Sequence, residues 1–504
     1  MTPRTRSLWQ ILLIIILGLV VYYNSLHNRF IWDDRLHIID DAFIKSRSDL
    51  SKIFSQNMAA GAGYKTPFYR PLQVLSYKID YSFWGLNATG YHLTSLIVHI
   101  CVAGAVYLLI YLLSKNQTVS FVAGLLFVAH PLNVETVAFI SDRADCLVAL
   151  FMLLCVIFYI KYLYIEKPGA YILIGSSYTL ALLSKESSVV LPLLLLSYHY
   201  VFKKRIDGKK FLTISGLILI YIIFRLAVIK SDFLALWQPD SPAQRIPGFF
   251  AAVTDYLRIV WLPLGLHMEY SYRMFHWGEF KVVAGVILFL LLLAYAVTKK
   301  DKDRFTAFCI CWFFIMLLPS SNIYPKIGAS YMAERWLYIP SIGLLSLLAG
   351  KWGLLYDSKR LRGFSVLMLV GTIGFYSVLT IKQNGYWKDP LTFCARTLVY
   401  NPQSMKIYNE MGDAYENLGR NEEAIAAYKK AIQCCPACVG AYFNLVKLYR
   451  SLGKNEEAMI VYKKAREINA KNIEHYYETG RQYEAAGKYR EAIASYLSAR
   501  ELIK

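Results

Sequence analysis

The chain is short of charge. Asp, Glu, Lys and Arg make up 18% of its 504 residues, against about 25% in soluble domains. Acids are the scarcer sign, 35 against 55 basic residues. With 56% hydrophobic residues and a mean hydropathy of +0.36, so little charge cannot coat a soluble surface or keep a chain disordered. A soluble, disordered or fibrous protein is excluded. Cysteine is sparse too: nine are scattered, most of them inside apolar runs, which excludes a disulfide framework. Cys434, Cys435 and Cys438 form one tight cluster. It lacks the second ligand pair of a structural zinc site and reads as packing or as a local disulfide. The first apolar run, Leu8 to about Asn24, has no small-residue cleavage site behind it. It therefore reads as an uncleaved first span with Arg4 and Arg6 on its cytoplasmic side.

What is present is a series of apolar blocks, each near the roughly 20 residues that cross a bilayer. Eleven spans are predicted, at roughly 8–25, 91–113, 119–136, 144–160, 171–184, 187–202, 211–229, 280–298, 305–319, 335–350 and 363–382. Residues 1–7 and the loops 114–118, 161–169, 203–210, 299–304 and 351–362 then hold eighteen Lys and Arg against five Asp and Glu. This asymmetry makes them cytoplasmic. The net charge of +20 thus reads as a topology marker, and no nucleic-acid partner is expected. The stretch Phe249–Leu266 contains Asp255 and Arg258, has no basic stop behind it, and reads as an interfacial helix on the outer face.

After Gln383 the composition becomes that of a soluble helical region with a 34-residue period. Tyr408, Tyr442 and Tyr476 are one period apart; so are Gly419, Gly453 and Gly487, and Ala424, Ala458 and Ala492. Small residues where paired helices touch, aromatics between them and glycine at the turn make this the tetratricopeptide pattern. The expected fold class is all-α: a polytopic membrane domain over 1–383, whose first outer loop is 26–90, a linker over 384–404, and three tetratricopeptide repeats forming an α-solenoid over 405–504. An odd span count puts the repeats and the first loop on one outer side, periplasmic or luminal.

Most polar residues that packing cannot explain fall on that side. Asp33 and Asp34 follow the first span in Phe30-Ile-Trp-Asp-Asp. Adjacent carboxylates there bind a metal, act as a base or are simply solvated. His130 and Glu135, then Asp142, Arg143 and Asp145, crowd one short outer connection, where unpaired charge is costly; an ion-pair knot is the bland alternative. Lys185 and Glu186 interrupt two apolar runs; charge placed so marks a pathway or a ligand, although mutual neutralisation would also suffice. Glu334 and Arg335 begin a span whose helix N-terminus favours an anion, and the arginine fork suits a phosphate. Lys185 precedes a span in the same way, and Arg258 is a weaker supporting cation. Acids in the first loop and cations at helix N-termini suit a membrane-embedded phosphate headgroup and the deprotonation of a hydroxyl.

Phe30-Ile-Trp-Asp-Asp, Tyr69-Arg-Pro-Leu, Trp84-Gly-Leu-Asn, Gly90-Tyr-His-Leu, His130-Pro-Leu-Asn-Val-Glu, Ser184-Lys-Glu and Glu334-Arg-Trp-Leu-Tyr-Ile-Pro-Ser-Ile-Gly occur in this order. Together they resemble the transmembrane and tetratricopeptide-repeat-containing O-mannosyltransferase family, of the GT-C fold, over nearly the whole chain. The resemblance implies an inverting glycosyltransferase. Its donor would be a polyprenyl-phosphate sugar, mannose by expectation, and its acceptors Ser and Thr hydroxyls of an exported protein bound by the repeats. It implies Asp33 as base or acceptor orienter, with Asp34 supporting, and no metal or other cofactor. Charge and topology add Arg335 and Lys185 as holders of the donor phosphate, Arg143 as a third cation, and His130, Glu135, Asp142, Glu186, Glu334 and Arg258 as supporting polar groups. A membrane scaffold that recruits partners through its repeats, or a flippase for lipid-linked sugars, stays open beside the enzyme. A bacterial inner membrane and an ER membrane fit equally.

Overall fold

A computed structural model describes residues 3–46, 50–229, 242–270, 273–323 and 330–485, with 488 and 495. The regular elements among the described residues are all helices, with no strand. Contacts divide the chain into two units. One holds Met1–Asp232, Pro242–Met268 and Tyr272–Lys388; the other holds Asp389–Lys504 with two short upstream pieces.

In the first unit every predicted span falls on a helix. Among the described residues, seven helices are long and apolar enough to cross a membrane: Thr5–His27, Ala88–Ser114, Ile140–Lys161, Gly208–Ile229, Phe280–Lys299, Glu334–Asp357 and Arg362–Tyr386. An eighth is broken, Gln117–Ala129 followed after a 50° bend by Pro131–Ala138. The bend is a proline effect. Pro131 has no amide to continue the ladder, and the His130 ring accepts the Leu132 N–H instead, at 3.2 Å. The other three predicted spans lie on shorter helices, Pro168–Ser184, Leu191–Phe202 and Arg304–Leu317. By length alone the count is thus seven or eight, against the eleven expected from charge alternation.

The stretch expected at the interface is the helix Pro242–Trp261, which buries Ala251, Val253, Tyr256 and Ile259. Its Asp255 is bridged by Lys281 at 3.0 Å and Tyr331 at 2.8 Å. Packing against Phe280–Lys299 is close: a Cβ on Gly285 would lie 1.9 Å from the Phe250 carbonyl oxygen.

The first outer loop is folded, although its sequence gave no periodic signal for it. Three helices, Ala42–Lys45, Leu50–Ser55 and Pro71–Trp84, close over a core of Ile38, Ile44, Ile53, Met58, Val74, Tyr77, Tyr91 and Ile140. Pro71 starts the third, since its fixed φ suits a first helical turn. This core clamps the loop onto residues 139–142.

In the second unit, Pro390–Tyr400 is a helix that buries Phe393, Cys394 and Thr397; it occupies the stretch read as a linker. Met405–Asn417 pairs with Asn421–Cys434, and Val439–Ser451 follows. Small residues sit where helices touch: a Cβ on Gly412 would meet the Tyr428 ring at 2.4 Å. Gly419 and Gly453 take positive φ at the turns, as the repeat pattern requires. The third repeat departs from expectation. Asn455–Ala485 is one continuous helix, with no turn where the first repeat has Pro436, because position 470 holds Ala, a strong helix former. Its later signature positions, Gly487, Ala492, Tyr496 and Ala499, lie outside the described residues. Cys435 and Cys438 are joined as a disulfide.

Candidate functional site

The charged residues sit where helices break. His130 and Phe139 take extended backbone on either side of Val134–Ala138, which places Glu135 on a short helix and Asp142 and Asp145 at the start of the next. Lys185 is extended between Pro168–Ser184 and Glu186–Val190. Ala333 is extended just before Glu334–Leu337. These breaks bring acids and cations together from positions distant in sequence. Arg335 bonds Glu135 through its guanidinium at 2.5 Å and its own N–H at 3.0 Å, and its Nε lies 3.8 Å from Asp142. Lys185 pairs with Asp145 at 2.6 Å. Arg70, at the head of the Pro71 helix, forks onto Glu186 at 2.7 and 3.1 Å. Burial alone would lower the Arg70 pKa, but Glu186, Asp145 and Asp142 hold it above its ordinary value. Three cations and four acids thus form one network. Its members are mostly buried, with Arg335 24% and Lys185 14% exposed.

The first-loop acids join it from one side. Trp32 is held at φ 49°, a left-handed conformation that costs a bulky side chain free energy. That turn folds Asp34 back to accept the Ile31 N–H at 3.1 Å. The other Asp34 oxygen accepts the Ser141 N–H at 2.8 Å and its hydroxyl at 2.6 Å, beside Asp142. Burial raises the Asp34 pKa to about 7, although these hydrogen bonds pull it down. Asp33 next to it is only half-buried. The two acids therefore differ: Asp34 is enclosed and tied to Ser141, whereas Asp33 is partly open to its surroundings.

The remaining predicted residues have structural partners. Arg143 is fully buried; its guanidinium meets Asp80 at 2.6 Å, Ser95 and Ser76 at 3.1 Å, and the Tyr91 carbonyl at 2.8 Å. That enclosure corrects its assignment as a third donor-facing cation. His130 bonds the Val260 carbonyl through Nε2 at 3.0 Å and is buried. It acts as a brace between helices. Glu334 accepts the His267 N–H at 2.5 Å. Arg258 lies 3.7 Å from Asp255, in a separate ion-pair group with Lys281. Among the described residues no group of three or more His, Cys, Asp or Glu is placed to hold a metal ion.

Arg70 and Asp80 carry key pairs and were not among the predicted site residues. Arg70 lies within the Tyr69-Arg-Pro-Leu motif, but its partner Glu186 is 116 positions away. His37 was missed as well. Its N–H bonds the Asp33 carbonyl at 2.9 Å, and burial, then the Arg70 charge, hold its pKa down near 4.

A many-helix membrane unit with a folded outer loop, its charges gathered at helix breaks, and a tetratricopeptide region define the class. This is a multi-pass membrane protein that carries tetratricopeptide repeats. The comparisons agree. The TPR repeat model matches residues 412–446 and the tetratricopeptide repeat model residues 439–472. Protein O-mannosyl-transferase TMTC3 of Homo sapiens is 26% identical over 486 residues, covering 87% of this chain and 53% of its own length. Its Mus musculus counterpart is 24% identical over 483 residues, covering 86% and 52%. The chain therefore spans about half the length of the curated relatives it matches. In fold it is similar to the Archaeoglobus fulgidus oligosaccharyltransferase, crystallised with a tethered acceptor peptide. The TM-score is 0.50 at 13% identity, over 84% of this chain and 59% of that one.

Proposed function

We propose that the protein moves a sugar, mannose, from a polyprenyl-phosphate donor to Ser or Thr hydroxyls of an exported polypeptide, with inversion. One observation carries this reading: half-buried Asp33 directly precedes Asp34, which is bonded to Ser141 next to Asp142, in a cluster whose cations Arg335 and Lys185 lie at helix starts. Asp33 takes the proton of the acceptor hydroxyl, and its oxygen attacks the sugar carbon opposite the departing phosphate. As the glycosidic bond breaks, charge accumulates on the phosphate oxygens. Arg335 and Lys185, kept in place by Glu135 and Asp145, turn their remaining N–H donors to that phosphate, which is stabilisation built in before the reaction. Asp34 holds the first loop against Ser141 and so fixes where Asp33 stands. The names of the relatives favour O-mannosylation over a scaffold or flippase role.

In this reading residues 1–383 form the transferase domain, 384–404 connect, and 405–504 present the acceptor polypeptide. The N-terminus is cytoplasmic and the repeats periplasmic or luminal. A disulfide in the repeats accords with that side, since disulfides persist in oxidising compartments. The test incubates purified protein with polyprenyl-phosphate mannose and an unfolded exported polypeptide, then maps hexose on Ser and Thr by mass spectrometry. Transfer is expected; its absence across several sugars and acceptors would defeat the enzyme reading, and lipid movement without a sugar–protein bond would favour the flippase.

A further inference from the structure

Cys434, Cys435, Pro436, Ala437 and Cys438 run in unbroken succession between two helices of the repeats. Cys435 follows Asn421–Cys434, Cys438 immediately precedes Val439–Ser451, and the two sulfurs are joined. The loop so closed is very short, so the bond gains little from restricting the unfolded chain. It is also reachable: Pro436 and Ala437 are exposed, and all three cysteines are half-buried. Access governs attack on a disulfide. A second observation ties this turn to the solenoid. The Tyr442 hydroxyl donates to the Pro436 carbonyl at 3.1 Å, and the Asn472 amide donates to the Ala437 carbonyl at 3.2 Å. The two carbonyls inside the bridge are thus held by the helix that follows and by the next one along, Asn455–Ala485.

We propose that Cys435 and Cys438 are a reversible thiol–disulfide switch that exchanges with low-molecular-weight disulfides and sets the packing of the helices around this turn. On oxidation the Cys435 thiolate attacks one sulfur of glutathione disulfide, forming a mixed disulfide and releasing one glutathione thiolate. The Cys438 thiolate then attacks the Cys435 sulfur, closes the bridge and releases the second. Two electrons pass from the cysteine pair to glutathione disulfide, and the two thiol protons end on the released glutathione. Reduction is the reverse. Closed, the bridge fixes the Pro436 and Ala437 carbonyls where Tyr442 and Asn472 meet them; opened, it lets both contacts go. This inference does not depend on the transferase reading.

The full chain in detergent is equilibrated in buffers of reduced and oxidised glutathione, trapped by alkylation, and analysed by mass spectrometry. The pair is expected to pass from unlabelled to doubly labelled within the range of such buffers, with Cys434 labelled throughout. Amide exchange at residues 437–442 and 470–474 should rise several-fold on reduction, while that at 424–431 stays unchanged. The Cys435→Ser/Cys438→Ser variant should show the faster exchange with or without oxidant. A pair that stays bridged in about a hundredfold excess of reduced glutathione would overturn the proposal. So would a bridge to Cys434, or a redox change that leaves exchange untouched; neither result needs the variant to fold.

Discussion

The tie between Asp34 and Ser141 can be taken apart one bond at a time. Asp34 is fully buried and accepts three donors, the Ile31 and Ser141 amides and the Ser141 hydroxyl. Ser141→Ala removes only the hydroxyl bond, worth about 1.5–3 kcal/mol to the carboxylate above about pH 7 and about 0.5–1.5 kcal/mol to the protonated acid below it. Asp34→Ala strands two buried backbone amides, at about 1–3 kcal/mol each, or about 2–6 kcal/mol in all. Since the hydroxyl bond is lost in both, the double variant should cost less than the sum, by about 1–2 kcal/mol. Reversible unfolding in mixed micelles, followed by tryptophan fluorescence, measures all three. Strict additivity, or an Asp34→Ala cost below about 1 kcal/mol, would refute the geometry. The pH dependence gives a second reading. Burial raises the folded pKa of Asp34 to about 7, above the roughly 3.9 of an unfolded chain. Its contribution is then complete below about pH 4 and is lost as pH rises through about 7. The stability difference between wild type and Asp34→Asn should shrink over that window and stay level above about pH 8.

Arg335→Lys keeps the charge but loses the planar guanidinium that reaches Glu135 and Asp142 through different nitrogens and could fork onto a phosphate. We expect the KM for the lipid donor to rise about tenfold, a loss of about 1.4 kcal/mol, and an unchanged KM would remove Arg335 from the phosphate site. Gly285→Ala should destabilise by about 1–3 kcal/mol or more, because its Cβ would strike the Phe250 carbonyl. Gly371→Ala, where nothing lies within 4 Å of the new carbon, should stabilise by up to about 1 kcal/mol; equal melting temperatures for the two would contradict the packing described.

The membrane helices and the repeats were legible because both announce themselves by local pattern. Apolar runs closed by Lys203-Lys204-Arg205 or Lys299-Lys300 need no tertiary information, and neither do aromatics and glycines recurring every 34 residues. The continuous helix Asn455–Ala485 is not legible from the period, since the spacing persists where Ala470 stands in place of a breaker. The site was legible only in part. Motif order brought out Asp33, Asp34, Lys185, Glu186 and Arg335, but pairing is a long-range fact. Arg335 finds Glu135 and Arg70 finds Glu186 across 200 and 116 positions, and no periodicity encodes either. Arg143 looked like its neighbours in sequence and differs only in its enclosure by Asp80, Ser95, Ser76 and Tyr91. The asymmetry between Asp33 and Asp34 likewise arises from the Trp32 turn and the Ser141 contact, which lies 107 residues away.

The measurement that bears most directly on the central claim is sugar transfer by Asp33→Asn beside wild type, from polyprenyl-phosphate mannose to an exported acceptor, with unfolding followed on the same samples. A positioned base contributes about 100- to 10,000-fold. The account predicts a loss of transfer of that order in a protein that still unfolds cooperatively, since the Asp34 carboxylate, which the variant keeps, ties the first loop to Ser141. Transfer at the wild-type rate would contradict it.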